Sequence, residues 1–260
     1  CSVLALCAVL TVNAVQLQRT STVTALDVSQ GQSIVFSSGR ACAVVDCGGR
    51  STAEDPGDLA ARKLLAQGHR SLDLLVLTHP HDDHVNGVLR LMHWLPVRTL
   101  VIPAAADTTQ APLSDILALA EANHTAVVRV DAERTVTAGG ISVHLYPEPC
   151  AGQEDGSMIV LASIGDYDTL VPGDVDMTAE VKFLSSCTYP GIELLLVGHH
   201  GSKRSTSDAW LDAIAPDAAI ISVGYNTYGH PTSETLERLQ AHNIPIYRTD
   251  QMGDITVHLS

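Results

Sequence analysis

The sequence predicts an α/β fold of the α+β kind, with two β-sheets packed face to face and helices on their outer faces. Three observations carry this. Near its start the chain has short, β-branched runs separated by glycine-containing turns. Through the remainder, apolar strand-like runs alternate with stretches of helical spacing. The third is size: 260 residues, 45% hydrophobic and 17% charged, suffice for one domain with a large core and exclude a disordered chain.

Taken in order, residues 22–28 (TVTALDV), 33–37 (SIVFS) and 41–46 (ACAVVD) read as an opening meander. Residues 55–67 have helical spacing, with Leu59, Leu64 and Leu65 apolar and Asp55 or Asp58 near the start. Residues 72–78 (LDLLVLT) read as a buried strand, and 85–95 as a helix. Strands follow at 98–102, 126–130, 141–145, 158–164 and 169–171, with a helix at 113–123. Then come a helix at 178–186, a strand at 193–197, a helix at 208–215 and a strand at 218–223. A helix at 233–242 and strands at 245–247 and 255–259 complete the pattern. Low-complexity segments and short-period repeats are absent.

The first residue is Cys, and residues 1–15 are almost entirely apolar. A membrane span needs about 20 such residues. The stretch therefore reads as the tail of a transmembrane helix, with a signal peptide or a buried strand as alternatives. Residues 1–17 are accordingly set apart from a main domain over 22–260. The six cysteines, at 1, 7, 42, 47, 150 and 187, have no CxxC spacing, which argues against a structural zinc knuckle. Cys42 and Cys47 flank an apolar strand and are expected as plain buried thiols.

Net charge is -14, from 15 Lys+Arg against 29 Asp+Glu. A general nucleic-acid-binding surface usually has the opposite sign. A phosphate-bearing substrate would have to be held locally, by metals and a few cations.

Chemistry gathers after the strand at 72–78. His79-Pro80-His81-Asp82-Asp83-His84 puts three His and two Asp within six residues. The run follows the C-terminal end of a buried strand, where sheet-based enzymes usually carry their sites. Imidazole and carboxylate ligands suit Zn2+ or Mn2+. His79 and His81 alternate and can turn toward one ion; Asp83 and His84 can reach a second. Downstream, His199 and His200 end one strand and His230 follows another, so all three can point to the same edge. Lys203 and Arg204 offer cations for a phosphate, or form an exposed basic turn. His69, His93, His124, His242 and His258 lack sequence partners and are expected at the surface or in the core.

The His79–His84 run resembles the HxHxDH motif of metallo-β-lactamase-fold hydrolases. Asp46-Cys47-Gly48-Gly49 is similar to that family's strand-ending Asp, and Gly173-Asp174 to its Gly-Asp motif, whose Asp bridges both metals. The resemblance implies an αββα four-layer sandwich and a binuclear hydrolase. Residues 25–31 (ALDVSQG), 197–202 (VGHHGS) and 228–231 (YGHP) more closely resemble the C-terminal hydrolase domain of ComEC-type competence proteins, across roughly 23–257. That likeness implies a phosphodiesterase or nuclease that degrades one DNA strand, with single-stranded DNA as substrate. It also implies a membrane channel domain of the same protein as partner, and an extracytoplasmic, membrane-associated location. Either the His199–His200 pair or His230 would complete the second metal shell. Asp83 would orient the nucleophile, His200 could protonate the leaving oxygen and Lys203 would grip phosphate. The pattern departs from the family in lacking a clear third His; His144 falls inside a strand and reads as structural. Two rivals stand beside this reading. One is a stand-alone hydrolase of a small ester, lactone or phosphocholine-type substrate, which the acidity favours. The other is a catalytically silent gating module, which the intact ligand run argues against.

Overall fold

The computed structural model describes residues 20–50, 54–150 and 156–259. The chain opens with β1 (Ser21–Ala25), β2 (Gly31–Ser38) and β3 (Ala41–Gly49), an antiparallel meander. Helix α1 (Pro56–Ala66) crosses to β4 (Leu72–Val76), which is parallel to β3. Asp55 caps α1 by accepting from Gly57 N, and Pro56 takes the first turn, where its missing N–H costs nothing. Helices α2 (Asp82–Val85) and α3 (Val88–Trp94) lead to β5 (Val97–Pro103), and α4 (Leu113–Ala122) to β6 (Ala126–Val130). Each of these strands is again parallel to its predecessor.

The second half repeats the plan. Strands β7 (Arg134–Ala138), β8 (Ile141–Tyr146), β9 (Ile159–Ile164) and β10 (Tyr167–Val171) form an antiparallel meander. After α5 (Met177–Ser186), α6 (Asp208–Ile214) and α7 (Ser233–Ala241) come the parallel strands β11 (Leu194–Leu196), β12 (Ala218–Ile221) and β13 (Ile246–Arg248). A short α8 (Thr249–Met252) precedes β14 (Ile255–Leu259), which returns to pair with β1. The result is two seven-stranded sheets, ordered β14-β1-β2-β3-β4-β5-β6 and β13-β12-β11-β10-β9-β8-β7.

Three apolar layers define four structural ones. Val23, Ile34, Phe36, Val45 and Val76 meet Val143, Val160, Leu194 and Ile220 between the sheets. Leu64, Leu91 and Ile116 of α1, α3 and α4 cover the first sheet. Phe183, Trp210 and Leu239 of α5, α6 and α7 cover the second. Alternate residues of one strand serve different layers, as the two-residue period requires: Val45 faces the second sheet and Val44 the helices. This is the αββα sandwich.

The structure differs from the sequence reading at four places. β7 was not expected; it is a polar edge strand, largely exposed, with too few apolar residues to signal itself. The helix expected over 85–95 is two helices: the first begins at Asp82, and the chain turns again at Gly87. A Cβ on Gly87 would sit 2.6 Å from Gly57 N, so only glycine allows α3 to start there against α1. The strand expected over 22–28 ends at Ala25. α8 carries too few residues for a period to show. The apolar segment 1–17 lies outside the described residues. Among the described residues no helix is long and apolar enough to cross a membrane. Cys42 and Cys47 are buried free thiols, and burial pushes Cys42 up to about 12.

Candidate metal centre

The site forms where parallel strands of both sheets end. β4 runs through Val76 into Thr78 and His79, and one helical turn then carries Asp82, Asp83 and His84. That turn closes through His84 N and Val85 N donating to His81 O, at 2.9 and 3.1 Å. It packs on the end of β3 so tightly that a Cβ on Gly48 would lie 2.5 Å from His84 backbone.

Beside it, the β2–β3 register slips between Gln32 and Ile34, and Asp46 takes the left-handed conformation at φ 57. This bulge aims the Asp46 carboxylate into the site. The carboxylate accepts from Gln32 Nε2, Thr78 N, Thr78 Oγ1 and His84 Nδ1, each at 2.7 Å. Thr78 Oγ1, having given its proton to Asp46, accepts from His79 Nδ1 at 3.0 Å. One buried carboxylate thus orients both imidazoles, with each Nε2 facing inward.

The second sheet supplies the other wall. Asp174 follows β10 through Gly173, which is left-handed at φ 62 and whose carbonyl accepts from His199 N. β11 leads through Val197 into a 3-10 turn, Gly198–Gly201, whose His199 and His200 are both left-handed, at φ 50 and 54. His200 Nδ1 donates to Ser222 O at 2.9 Å, again turning Nε2 into the site. His84 Nε2 lies 3.2 Å from Asp174 Oδ1, and His79 Nε2 lies 3.7 Å from Oδ2. His200 Nε2 lies 3.6 Å from Asp83 Oδ2 and 3.8 Å from Asp174 Oδ1. His199 Nε2 lies 3.5 Å from Asp174 Oδ2.

These residues fit a metal. His79 Nε2, His84 Nε2, His200 Nε2, His230 Nδ1 and Asp174 Oδ1 are buried and lack a hydrogen-bond partner. Each such atom costs about 1–3 kcal/mol if nothing binds it. Two overlapping groups have ligand atoms close enough for one ion: His79, His84 and Asp174, and Asp83, His84 and His200. Burial opposes charge on His84, yet Asp174 and Asp46 outweigh it and hold its pKa well above the usual value. The two carboxylates draw a cation to the spot.

The remaining expected residues fall around this nucleus. His81 is exposed and meets His79 edge to face at 4.7 Å. His230 stands with its ring 5.5 Å from that of His199. Neither belongs to the two close groups. Lys203 is exposed and does not line the cleft; its charge acts on the Glu234 carboxylate. His144 bonds Thr135 and Glu133, as a structural residue would. His69, His93, His124, His242 and His258 do not line the cleft either.

A cleft of about 430 Å³ opens over the nucleus. Its lining includes Arg50 and Tyr228, which the sequence reading missed, as well as Gln30. Arg50 directly follows the Asp46–Gly49 segment, and Tyr228 stands two residues before His230. Proximity to those motifs was the available signal.

A family model described as the metallo-beta-lactamase superfamily matches residues 26–225. The chain is 29% identical over 251 residues to ComE operon protein 3 of Bacillus subtilis, covering 88% of this chain and 32% of that protein. It is 29% identical over 238 residues to competence protein ComA of Neisseria gonorrhoeae, covering 89% and 31%. The chain thus spans about a third of the length of these curated relatives. Among solved structures, YhfI of Bacillus subtilis, a metallo-beta-lactamase fold protein, superposes with TM-score 0.61 at 12% identity, over 92% of this chain and 100% of that one. Zinc-bound PqqB of Methylobacterium extorquens gives 0.58 at 16% identity, over the same shares. Both structures speak to the fold alone.

Proposed function

Because this chain belongs to the metallo-β-lactamase superfamily, we propose that it is a divalent-metal-dependent phosphodiesterase that cleaves single-stranded DNA within a DNA-uptake protein. The observation that carries the proposal is the gathering of four partnerless, buried atoms, His79 Nε2, His84 Nε2, His200 Nε2 and Asp174 Oδ1, in two overlapping groups each close enough to hold an ion, with Asp174 and His200 lining the cleft. The likeness to ComE operon protein 3 and competence protein ComA directs it toward DNA uptake.

His79, His81, Asp83, His84, Asp174 and His200 would hold two ions, Zn2+ or Mn2+. When bound, such a pair lowers the pKa of a water and offsets charge on phosphoryl oxygens. Asp83 orients the attacking water. The water oxygen bonds to phosphorus as the opposite ester bond breaks in line. The leaving oxygen would take a proton from His199, which is more open to the cleft than His200. His230 borders the same space and completes the second shell of ligands or contacts substrate. Lys203, outside the cleft, meets a more distant phosphate of a polymer. On this reading a membrane channel domain of the same protein is the partner, and the domain lies outside the cytoplasm.

The test is divalent-dependent cleavage of a labelled single strand by the purified chain. Zn2+ or Mn2+ should restore cleavage after chelation. Metal-loaded protein that leaves DNA intact but hydrolyses small esters would transfer the reading to a small-substrate hydrolase, which the net charge of -14 favours.

A further inference from the structure

The cleft carries a cation and an aromatic ring that no ligand role absorbs. Arg50 leaves the end of β3, and Tyr228 sits in the loop between β12 and α7. Arg50 Nη1 donates to the Tyr228 hydroxyl at 3.3 Å, and the guanidinium carbon stands 5.8 Å from the ring centre. Tyr228 also neighbours His230, the two rings 5.8 Å apart and tilted by 33°. Both residues line the cleft that holds Asp83, Asp174 and His200.

Two features set this pair apart. Aromatic residues make up 4% of the chain; Phe36, Phe183, Trp210 and Tyr146 are buried, and the exposed Trp94, Tyr225 and Tyr247 do not line the cleft. Tyr228 is 57% exposed at the cleft. Among the described residues that line the cleft, Arg50 is the Lys or Arg, against three aspartates at 82, 83 and 174. In a chain of net charge -14, a phosphate entering this cleft finds its fixed protein cation there.

We propose that Arg50 and Tyr228 form a nucleotide grip, in which the guanidinium binds a phosphate neighbouring the scissile one and the ring stacks on an unpaired base. This rests on the phosphodiesterase reading above and narrows it to a substrate class. Inside a duplex, both faces of a base are covered by its neighbours, so a stacking ring selects single strands or free ends. A guanidinium suits the phosphate because its fork of donors matches two oxygens at once. Base–aromatic stacking tolerates every base, since each has a π-face, so the grip is blind to sequence.

The two residues have separable signatures. Binding of a short fluorescein-labelled oligothymidylate is followed by anisotropy in EDTA, across a series of salt concentrations, and repeated with Zn2+ on ice. Tyr228→Ala weakens binding roughly ten-fold at every salt concentration, the scale of one stack. Tyr228→Phe keeps the stack and stays near wild type. Arg50→Gln removes one phosphate contact, so the slope of log affinity against log salt falls in magnitude by about 0.7. A 2-aminopurine base in the strand is quenched by wild type and Tyr228→Phe and stays bright with Tyr228→Ala. Circular dichroism confirms that each variant is folded. Wild-type binding with unchanged affinity and slope in the variants overturns the grip alone, as does equal affinity for a blunt duplex. Wild-type protein that leaves the probe free with and without Zn2+ overturns the grip together with the phosphodiesterase reading.

Discussion

Asp46→Asn tests whether one buried carboxylate governs the metal site. Asp46 is fully buried and accepts four hydrogen bonds, three of them on Oδ2 from Gln32, Thr78 Oγ1 and His84. The amide must face donors with a donor whichever way it turns. With its nitrogen toward Thr78 N, one buried N–H loses its acceptor, at a cost of about 1–3 kcal/mol. With its nitrogen toward His84, the imidazole must move its proton to Nε2, and that nitrogen can no longer ligate. Losing such an orienting partner typically weakens metal binding about 10–100-fold. The consequence appears in melting experiments. At a metal concentration 100 times the wild-type Kd, binding adds about 2.7 kcal/mol of stability. A variant bound 100-fold more weakly gains about 0.4 kcal/mol at the same concentration. Differential scanning fluorimetry with and without metal, together with chelator competition, reads this difference apart from the loss in the metal-free protein. Thr78→Val removes the hydroxyl that donates to Asp46 Oδ2 and accepts from His79 Nδ1, leaves the Asp46–His84 bond in place, and should fall between the two. A metal-induced shift in Asp46→Asn equal to that of wild type would refute the reasoning.

Asp174→Ala should lose metal, by elemental analysis, and nearly all turnover with circular dichroism unchanged; wild-type metal content in that variant removes Asp174 from the ligand set. His200→Ala should lower kcat, and metal content then separates its roles, because loss of a ligand empties a site and loss of an acid does not. Lys203→Ala should chiefly raise KM for a polymer, less so at high salt, since an exposed cation binds ground and transition states alike and is screened; an unchanged KM at low salt removes it from the substrate path. Arg238→Ala should destabilise the fold by about 2 kcal/mol or more in urea titrations and lower kcat with it, because its guanidinium holds carbonyls of the His199–His200 loop; an unchanged midpoint would show that the loop stands without it.

The layered fold was legible because its evidence is local. Runs such as LDLLVLT and ELLLV are too apolar for anything but strands buried on both faces, and covered faces imply outer helices. The repeat of meander then parallel strands in both halves was not legible, since it is written in pairing and not in residue identity. The His79–His84 run announced a site because its side chains are neighbours in sequence. The Arg50–Tyr228 pair did not, because 178 residues separate its members. The bulge that turns Asp46 inward was equally hidden: a left-handed aspartate leaves no period in the sequence.

The second wall of the site is the part under most strain. His199 and His200 stand in succession in the left-handed region, which costs a non-glycine residue roughly 1–2 kcal/mol. Such geometry persists only where the surroundings over-determine it. Here the outer helices do so. Arg238 of α7 donates to Thr206 O and Ser205 O at 2.8 Å, and Glu180 of α5 accepts from Thr206 N and from Ser207 N. Thr235 Oγ1 donates to Ser202 O at 2.9 Å, and Thr232 N to Gly201 O. None of Glu180, Gly201, Ser202, Ser205, Thr206, Ser207, Thr232, Thr235 and Arg238 lines the cleft. The first wall of the site is built differently: the loop after β4 carries His79 and α2 carries His84, neither of them left-handed, and among the described ligand-holding residues of this wall Asp46 is the left-handed one. The two walls therefore divide the work. The first sheet presents ligands in fixed orientations, and the second bends its chain to bring Asp174 and His200 across to them, with α5 and α7 holding the bend.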